Sequence, residues 1–207
     1  MLNKFSYRII FSKTKTTVYI SHLDVMRTFT RAFRRSSTPI YYTEGFTKRP
    51  LLVFPYPLSL GVGGENEILD IKTYVEFDDV NDYMKRLNSV LADGIEVRKI
   101  LSGDFPQDSY AVYDIELPDA ITFETLQRFL AQDFIKATKF SKKRGDITFD
   151  LKPLLRSVEL ISEKNLKVIL PVGEVSNVNV NVFIKAFSDF CKLNPNEFYA
   201  KRIEFLP

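Results

Sequence analysis

The 207-residue chain carries 29 basic and 26 acidic side chains, so its formal charge of +3 is too small to identify a polyanionic partner by itself. Its single cysteine, Cys191, excludes an internal disulfide framework and a cysteine-built zinc or iron–sulfur site, and we interpret it as a small buried hydrophobic residue rather than a functional thiol. The lack of a signal-peptide core and of an apolar run of membrane-spanning length predicts a cytoplasmic protein.

The first half of the chain is predicted to alternate strands and helices. Hydrophobic periodicity predicts a strand at 5–11, a helix at 21–35, a short strand at 40–43, a strand at 68–77, a helix at 78–91 and a strand at 95–100.

The second half is predicted to repeat that order. Its elements are a strand at 111–117, a helix at 122–131, strands at 135–140, 157–161 and 166–170, a helix at 180–193 and a strand at 198–205. A βαββαβ order is typical of ferredoxin-like units, in which helices cover one face of an antiparallel sheet. We therefore predict an α+β fold of two ferredoxin-like units, residues 1–103 and 109–207.

The first predicted helix combines a capping signal with a basic side. Ser21 is predicted to be its N-cap, with Asp24 as an acidic partner in the first turn. Four arginines project to one side of this helix, opposite its apolar residues. They are Arg27, Arg31, Arg34 and Arg35. Two interpretations stay open, a solvated face and a face that binds an anion such as a phosphodiester.

Further basic residues lie in predicted loops and would extend this surface if they converged with it. They are Lys13, Lys15, Lys48, Arg49, Lys142, Lys143 and Arg144. The last three also fit an exposed hairpin tip that charge keeps soluble. Four aromatic residues nearby would either stack on unpaired bases or pack within the protein. They are Tyr41, Tyr42, Phe46 and Tyr56.

His22 is the only side chain whose unperturbed pKa suits proton transfer near neutral pH. It is interpreted either as a packed histidine at the helix start or as a general acid or base. Glu65, Glu67 and Asp70 alternate near a predicted strand, but they lack histidine support, so no metal site is predicted. The glycines at 61, 63 and 64 precede a strand rather than a helix, which favours a tight turn over a phosphate-binding loop.

Five segments together carry a family resemblance. They read YRIIFSKT, YISHLDVMRTFTRAFRRS, PIYYTEGF, PLSLGVGGENEILDI and KKRGDITFDLKPLLRSVEL. In these segments the chain resembles the bacterial radical SAM-linked family, also known as domain of unknown function 2344. The motif residues that carry the resemblance are Ser21, His22, Asp24, Gly45, Phe46 and Gly61. The family usually has Asn-Pro-His-Pro after Gly45-Phe46, whereas this chain has Thr47, Lys48, Arg49 and Pro50, so the usual histidine is absent.

The resemblance implies a partner class. Members of the family occur beside, or fused behind, a radical SAM protein with a cobalamin-binding-like region, often among RNA-processing and ribosomal genes. We therefore expect an RNA-binding or substrate-presenting accessory protein without a cofactor of its own. Two alternatives stay open: a metal-independent RNA endonuclease of the CRISPR repeat-processing type that uses His22, and a pure protein-interaction module.

Overall fold

The structure is a computed structural model that describes residues 4–141, 145–173 and 176–207. It has a mixed α+β fold, and the chain divides into two compact units, Met1–Gln107 and Asp108–Pro207. Four α-helices lie within the described residues, and the strands of each unit pair in antiparallel fashion. None of these helices combines the length and the apolar character needed to cross a bilayer.

From residue 4 onward, the first unit contains four strands and two helices. In chain order these are β1 (Phe5–Lys13), α1 (His22–Arg35), β2 (Leu52–Val53), β3 (Gly63–Thr73), α2 (Val80–Asn88) and β4 (Ile95–Ser102). The strands lie in the order β4–β1–β3–β2. A 3₁₀ turn over Lys15–Tyr19 connects β1 to α1.

The core of this unit forms where the helices cover one face of the sheet. Ile9 and Phe11 of β1 pack with Phe29 and Phe33 of α1, and the rings of Phe11 and Phe29 meet edge to face with centroids 4.9 Å apart. Burial of each such side chain contributes about 1.5–3 kcal/mol. Because this apolar face holds α1 in place, the opposite side of the helix is turned toward solvent.

The predicted second strand of this unit is wrong. Residues 40–43 form only isolated bridges, from Ile40 to Thr73 and from Tyr42 to Pro50, while the strand that pairs with β3 is Leu52–Val53. Prolines at 39 and 50 lack the N–H that a regular ladder requires, so the segment between them is held as a loop.

Two further boundaries differ from the predictions. The strand predicted at 68–77 is β3, which begins five residues earlier, at Gly63, and ends at Thr73. The helix predicted at 78–91 is α2, which ends at Asn88, because the side chain of Asn88 turns to pair with the backbone of Val97 in β4.

The second unit contains six strands and two helices among its described residues. In chain order these are β5 (Tyr110–Glu116), α3 (Phe123–Leu130), β6 (Lys136–Ser141), β7 (Gly145–Asp150), β8 (Ser157–Ser162), β9 (Asn165–Pro171), α4 (Val180–Cys191) and β10 (Tyr199–Leu206). Four strands lie in the order β10–β5–β9–β8. The strand predicted at 135–140 is β6, which pairs instead with β7 in a separate two-stranded sheet.

Aromatic rings fill the core of the second unit. Phe129 of α3 meets Phe187 and Phe183 of α4 at centroid distances of 4.8 and 6.0 Å. Cys191, the last residue of α4, is half-buried, and this burial raises the pKa of its thiol. A raised thiol pKa reduces the thiolate fraction at neutral pH, in keeping with the interpretation of Cys191 as a packing residue.

Candidate nucleic-acid interface

The start of α1 is fixed by its predicted cap. Ser21 is the N-cap: its hydroxyl oxygen accepts from the backbone N–H of Asp24 at 3.2 Å, and its hydroxyl donates to the Asp24 carboxylate at 2.6 Å. The hydrogen bond from Ser21, followed by that from Arg27, lowers the pKa of Asp24. A cap of this kind contributes about 1 kcal/mol, so it fixes where the basic side of the helix begins.

The four arginines of α1 all lie on its exposed side, but the structure divides them into two pairs. The guanidinium of Arg27 donates to Asp24 at 3.0 Å, and that of Arg35 donates to the backbone carbonyl of Val90. Within the described residues, no ion pair or hydrogen bond engages the side chain of Arg31 or Arg34. These two, which we call the open arginines, are three residues apart and therefore adjacent on the helix surface.

A loop after α1 carries the predicted Gly45-Phe46 motif. The backbone N–H of Thr43 donates to the Arg49 carbonyl at 2.8 Å, and the Arg49 N–H donates to the Thr43 hydroxyl at 3.2 Å, which closes the loop at its base. Residues 44–49 are all exposed, including Lys48 and Arg49, and the Phe46 side chain is 114% exposed. We call this segment the 43–49 loop.

The four aromatic candidates for base stacking differ in accessibility. Tyr41 and Tyr56 are 8% and 9% exposed, and Tyr42 is half-buried, so these rings are largely packing residues. Tyr41 packs beside Tyr74 at a centroid distance of 4.9 Å and donates its hydroxyl hydrogen to the Glu44 carboxylate at 2.7 Å. Phe46 is the member of this set that offers a fully accessible ring.

His22 occupies the first turn of α1 with its ring partly buried. The ring packs edge to face against Phe54, with centroids 5.1 Å apart. Burial, followed by the positive charge of Lys13, lowers the pKa of His22, which keeps the imidazole neutral at pH 7. The environment combines a packing contact with the protonation state that a general base requires.

Lys13 does not lie in a surface loop, as the sequence predicted. It is the last residue of β1, it is 2% exposed, and its ammonium group donates to the Val18 carbonyl at 3.1 Å. Burial lowers its pKa, and the negative charge of Glu67 opposes that effect. The sequence contains a signal for this burial: Lys13 is two residues after the buried Phe11, and residues two apart in a strand lie on the same face of the sheet.

The glycine-rich segment supports this buried charge cluster. The N–H of Gly61 donates to the same Val18 carbonyl at 2.9 Å, and Gly61 adopts a φ of +81° that favours glycine. A Cβ on Gly64 would approach the carboxylate oxygen of buried Glu67 to 2.3 Å. These glycines therefore serve a turn and a close approach, and sequence reasoning missed the role of Gly64.

Two of the carboxylates that alternate along β3, Glu67 and Asp70, lie beside basic side chains. Asp70 receives two hydrogen bonds from the guanidinium of Arg8, at 2.7 and 2.8 Å, and the ring of Phe105 stacks on the same guanidinium. Glu67 lies beside Lys13. Among the described residues, no group of three or more His, Cys, Asp or Glu side chains has the arrangement of a metal site.

The structure thus brings some of the predicted site residues together and leaves others apart. One helix presents the four arginines, and the 43–49 loop presents Lys48 and Arg49; in the part of the chain that the structure describes, no hydrogen bond or ion pair joins the two groups. Lys15 pairs with Asp93 at 2.7 Å. The predicted basic residues Lys142, Lys143 and Arg144 lie outside the described residues, between β6 and β7.

Comparison with known proteins assigns the family. Residues 6–182 match DUF2344, described as an uncharacterized protein conserved in bacteria, and the chain therefore belongs to this family. None of the curated proteins matches the sequence. Among solved structures, it is similar to that of an unknown protein from Galdieria sulphuraria, with 10% identity and a TM-score of 0.32 over 99% of this chain and 100% of that one. A similarity at this level supports no argument about fold or function.

Proposed function

We propose that this DUF2344 protein is an RNA-binding or substrate-presenting accessory protein that acts in the cytoplasm with a radical SAM enzyme, on RNA or ribosome-related substrates. The observation that carries the proposal is the pair of open arginines, Arg31 and Arg34, which are exposed and lack a carboxylate partner among the described residues. Guanidinium groups in this state bind phosphate without first breaking an internal ion pair.

The other two arginines of α1, Arg27 and Arg35, have partners within the protein. Their contacts are as compatible with a solvent-exposed face as with a phosphate-binding one. Arg27 closes an ion pair within one turn, and such exposed pairs add little to stability because water screens both charges. Arg35, in the last turn, contacts Val90 and complements the negative end of the helix dipole. The proposal therefore assigns phosphate binding first to Arg31 and Arg34, with Lys48 and Arg49 as an extension of that contact.

Strand order supports the finer proposal that both units are ferredoxin-like. Numbered within its own unit, the sheet of each reads fourth, first, third, second strand when the β6–β7 pair is treated as an insertion after α3. Helices alternate with strands in both units as the βαββαβ order requires. The strand order supports only the architecture. Because ferredoxin-like folds host unrelated functions, the function has to be inferred from the surface residues.

RNA binding is tested by fluorescence anisotropy with a labelled single-stranded oligoribonucleotide. We expect affinity that weakens steeply between about 50 and 200 mM salt, because each neutralised phosphate releases counterions. An affinity that is independent of salt over this range contradicts the proposal.

The accessory role needs a second experiment, in which the protein is co-expressed with a radical SAM protein from the same genome and is then purified with and without nuclease. RNA present in the untreated complex, and crosslinked to the first unit, supports substrate presentation. A complex that survives both nuclease and high salt and contains no RNA favours the pure protein-interaction module instead.

A second candidate function follows from the position of His22, which lies partly exposed at the first residue of α1. A partly exposed imidazole that is neutral at pH 7 meets one requirement of a general base in metal-independent RNA cleavage. The test is incubation of structured RNA with the protein in chelator, in parallel with His22→Ala. Cleavage that His22→Ala abolishes supports an endonuclease, and cleavage that persists in His22→Ala excludes this role for the residue.

A further inference from the structure

We propose that Phe46 stacks on an unpaired base, and that the RNA bound at the 43–49 loop is therefore single-stranded. This inference rests on the proposed RNA-binding function and specifies its substrate class. Phe46 is the most exposed large apolar side chain among the described residues. It makes no ring contact with another aromatic residue of the described chain, so its full face is available.

The exposed ring of Phe46 does not stabilise the folded unit. Burial of a phenylalanine side chain contributes about 1.5–3 kcal/mol, and none of this is realised at 114% exposure. By contrast, Phe11 and Phe29 in the same unit are 3% and 0% exposed. The ring of Phe46 is thus placed for a contact outside the chain.

The loop that carries the ring has an ordered base. The N–H of Tyr41 donates to the Lys72 carbonyl at 2.7 Å, which attaches the segment to β3, and the N–H of Leu51 donates to the Tyr41 carbonyl at 2.8 Å. The two bonds between Thr43 and Arg49 lie above these. A tip supported in this way loses less conformational entropy when it binds a ligand than an unsupported loop loses.

The charges around the ring favour a nucleic acid over an apolar protein surface. Lys48 and Arg49 are exposed within three residues of Phe46. The nearest acidic residue in the loop, Glu44, accepts a hydrogen bond from the Tyr41 hydroxyl. Cations beside an open aromatic face match a base that is attached to phosphates, and an aromatic ring reaches the face of a base only where that base is not already stacked in a duplex.

The test compares Phe46→Ala, Phe46→Leu and Phe46→Trp with the unmodified protein, on a single-stranded oligoribonucleotide and on a blunt duplex of the same sequence. Phe123→Ala is the matched control, because Phe123 is 56% exposed at the start of α3 and has no cationic neighbour in sequence. Thermal unfolding of every variant is measured first. Because the Phe46 ring has no intramolecular packing to lose, we expect all of its variants to fold.

For single-stranded RNA, we expect Phe46→Ala to weaken binding by about 5- to 150-fold, the range measured for loss of one base-stacking aromatic residue. Phe46→Leu should lose a similar factor, because it keeps apolar area without a π face, and Phe46→Trp should retain binding. Duplex affinity should change less than about twofold, and the salt slope should stay constant, because no phosphate contact is removed.

Three results overturn the inference. The first is equal loss for single strand and duplex, and the second is wild-type binding by Phe46→Leu. The third is intact RNA binding by Phe46→Ala together with loss of nuclease-resistant capture of the radical SAM protein, which assigns the loop to protein docking. The double variant Arg31→Gln/Arg34→Gln separates the RNA-binding proposal from the base-stacking proposal. If the dependence of its affinity on salt becomes shallower while Phe46→Ala binds RNA normally, RNA binding is supported and base stacking by Phe46 is wrong.

Discussion

Neutralisation of the open arginines is the most direct test of the proposed interface. The double variant Arg31→Gln/Arg34→Gln removes two positive charges and keeps residues of comparable helix propensity. Both side chains are exposed and neither has a hydrogen-bond or ion-pair partner among the described residues. We therefore expect the free energy of unfolding to fall by no more than about 1 kcal/mol, mainly through the lost interaction of Arg34 with the helix dipole, so that the protein stays folded and a binding defect reports the interface.

The magnitude follows from counterion release. Each phosphate contact with a single strand contributes about −0.7 to the slope of log K against log salt, so loss of two contacts makes the slope shallower by about 1.4. Over a fourfold increase in salt, from about 50 to 200 mM, the unmodified protein should lose about sevenfold more affinity than the double variant loses.

The assay is anisotropy titration of a labelled single-stranded oligoribonucleotide at five salt concentrations. The matched control is Arg98→Gln/Arg128→Gln, which removes the same charge from exposed positions on β4 and α3 that lie outside the proposed interface. We expect the control to keep the wild-type slope, because general electrostatic attraction without a bound phosphate changes affinity only weakly at these salt concentrations.

Equal slopes for the double variant and the unmodified protein would refute the reasoning, because Arg31 and Arg34 would then neutralise no phosphate. An identical decrease in the double variant and in its control would also refute it, since the binding would depend on total charge rather than on α1.

The remaining predictions concern the buried charges of Lys13 and Glu67 and the neighbouring residues Gly64 and His22. Gly64→Ala should reduce the free energy of unfolding by about 1–3 kcal/mol in urea denaturation, because its Cβ displaces the buried Glu67 side chain. The control is Gly173→Ala, whose Cβ would lie 3.9 Å from its nearest neighbour and which should change the free energy of unfolding by less than about 0.5 kcal/mol. Equal effects of the two substitutions would contradict this explanation. The pKa of His22 is lowered from 6.5 by burial and by the charge of Lys13, so the unfolded chain binds the extra proton first as pH falls. Unfolding free energy should therefore decrease as pH falls below about 6.5, and this component should be absent in His22→Gln; a pH dependence that His22→Gln leaves unchanged would exclude His22 as its source.

Sequence periodicity located most of the strands and helices, and it erred where pairing partners decide the outcome. Residues 40–43 have the composition of a strand, but the neighbouring prolines remove ladder donors and β3 pairs instead with Leu52–Val53. The short strand at 136–141 was recognised and the basic residues after it were placed at a hairpin tip, but the strand that follows, β7, was not predicted, although Ile147 and Phe149 alternate with polar residues as in a strand.

The same limit applies to the candidate site. Ser21 was identifiable as a cap because the contact spans only three residues, and the cap sits where it was predicted. The burial of Lys13 beside Glu67 was not predicted. These two opposite charges are far apart in the chain and come together only when β1 and β3 pair.

The amino-acid sequence alone determined the α+β class, the cap and basic side of α1, and the membership of its family. Only the tertiary structure decided which charges are open, because exposure and pairing depend on what packs nearby. It divided four similar arginines into two that are engaged, Arg27 and Arg35, and two that are not. It likewise left Phe46 exposed while Tyr41 and Tyr56 were buried, since a side chain is buried only where neighbouring elements come close enough to exclude water from it.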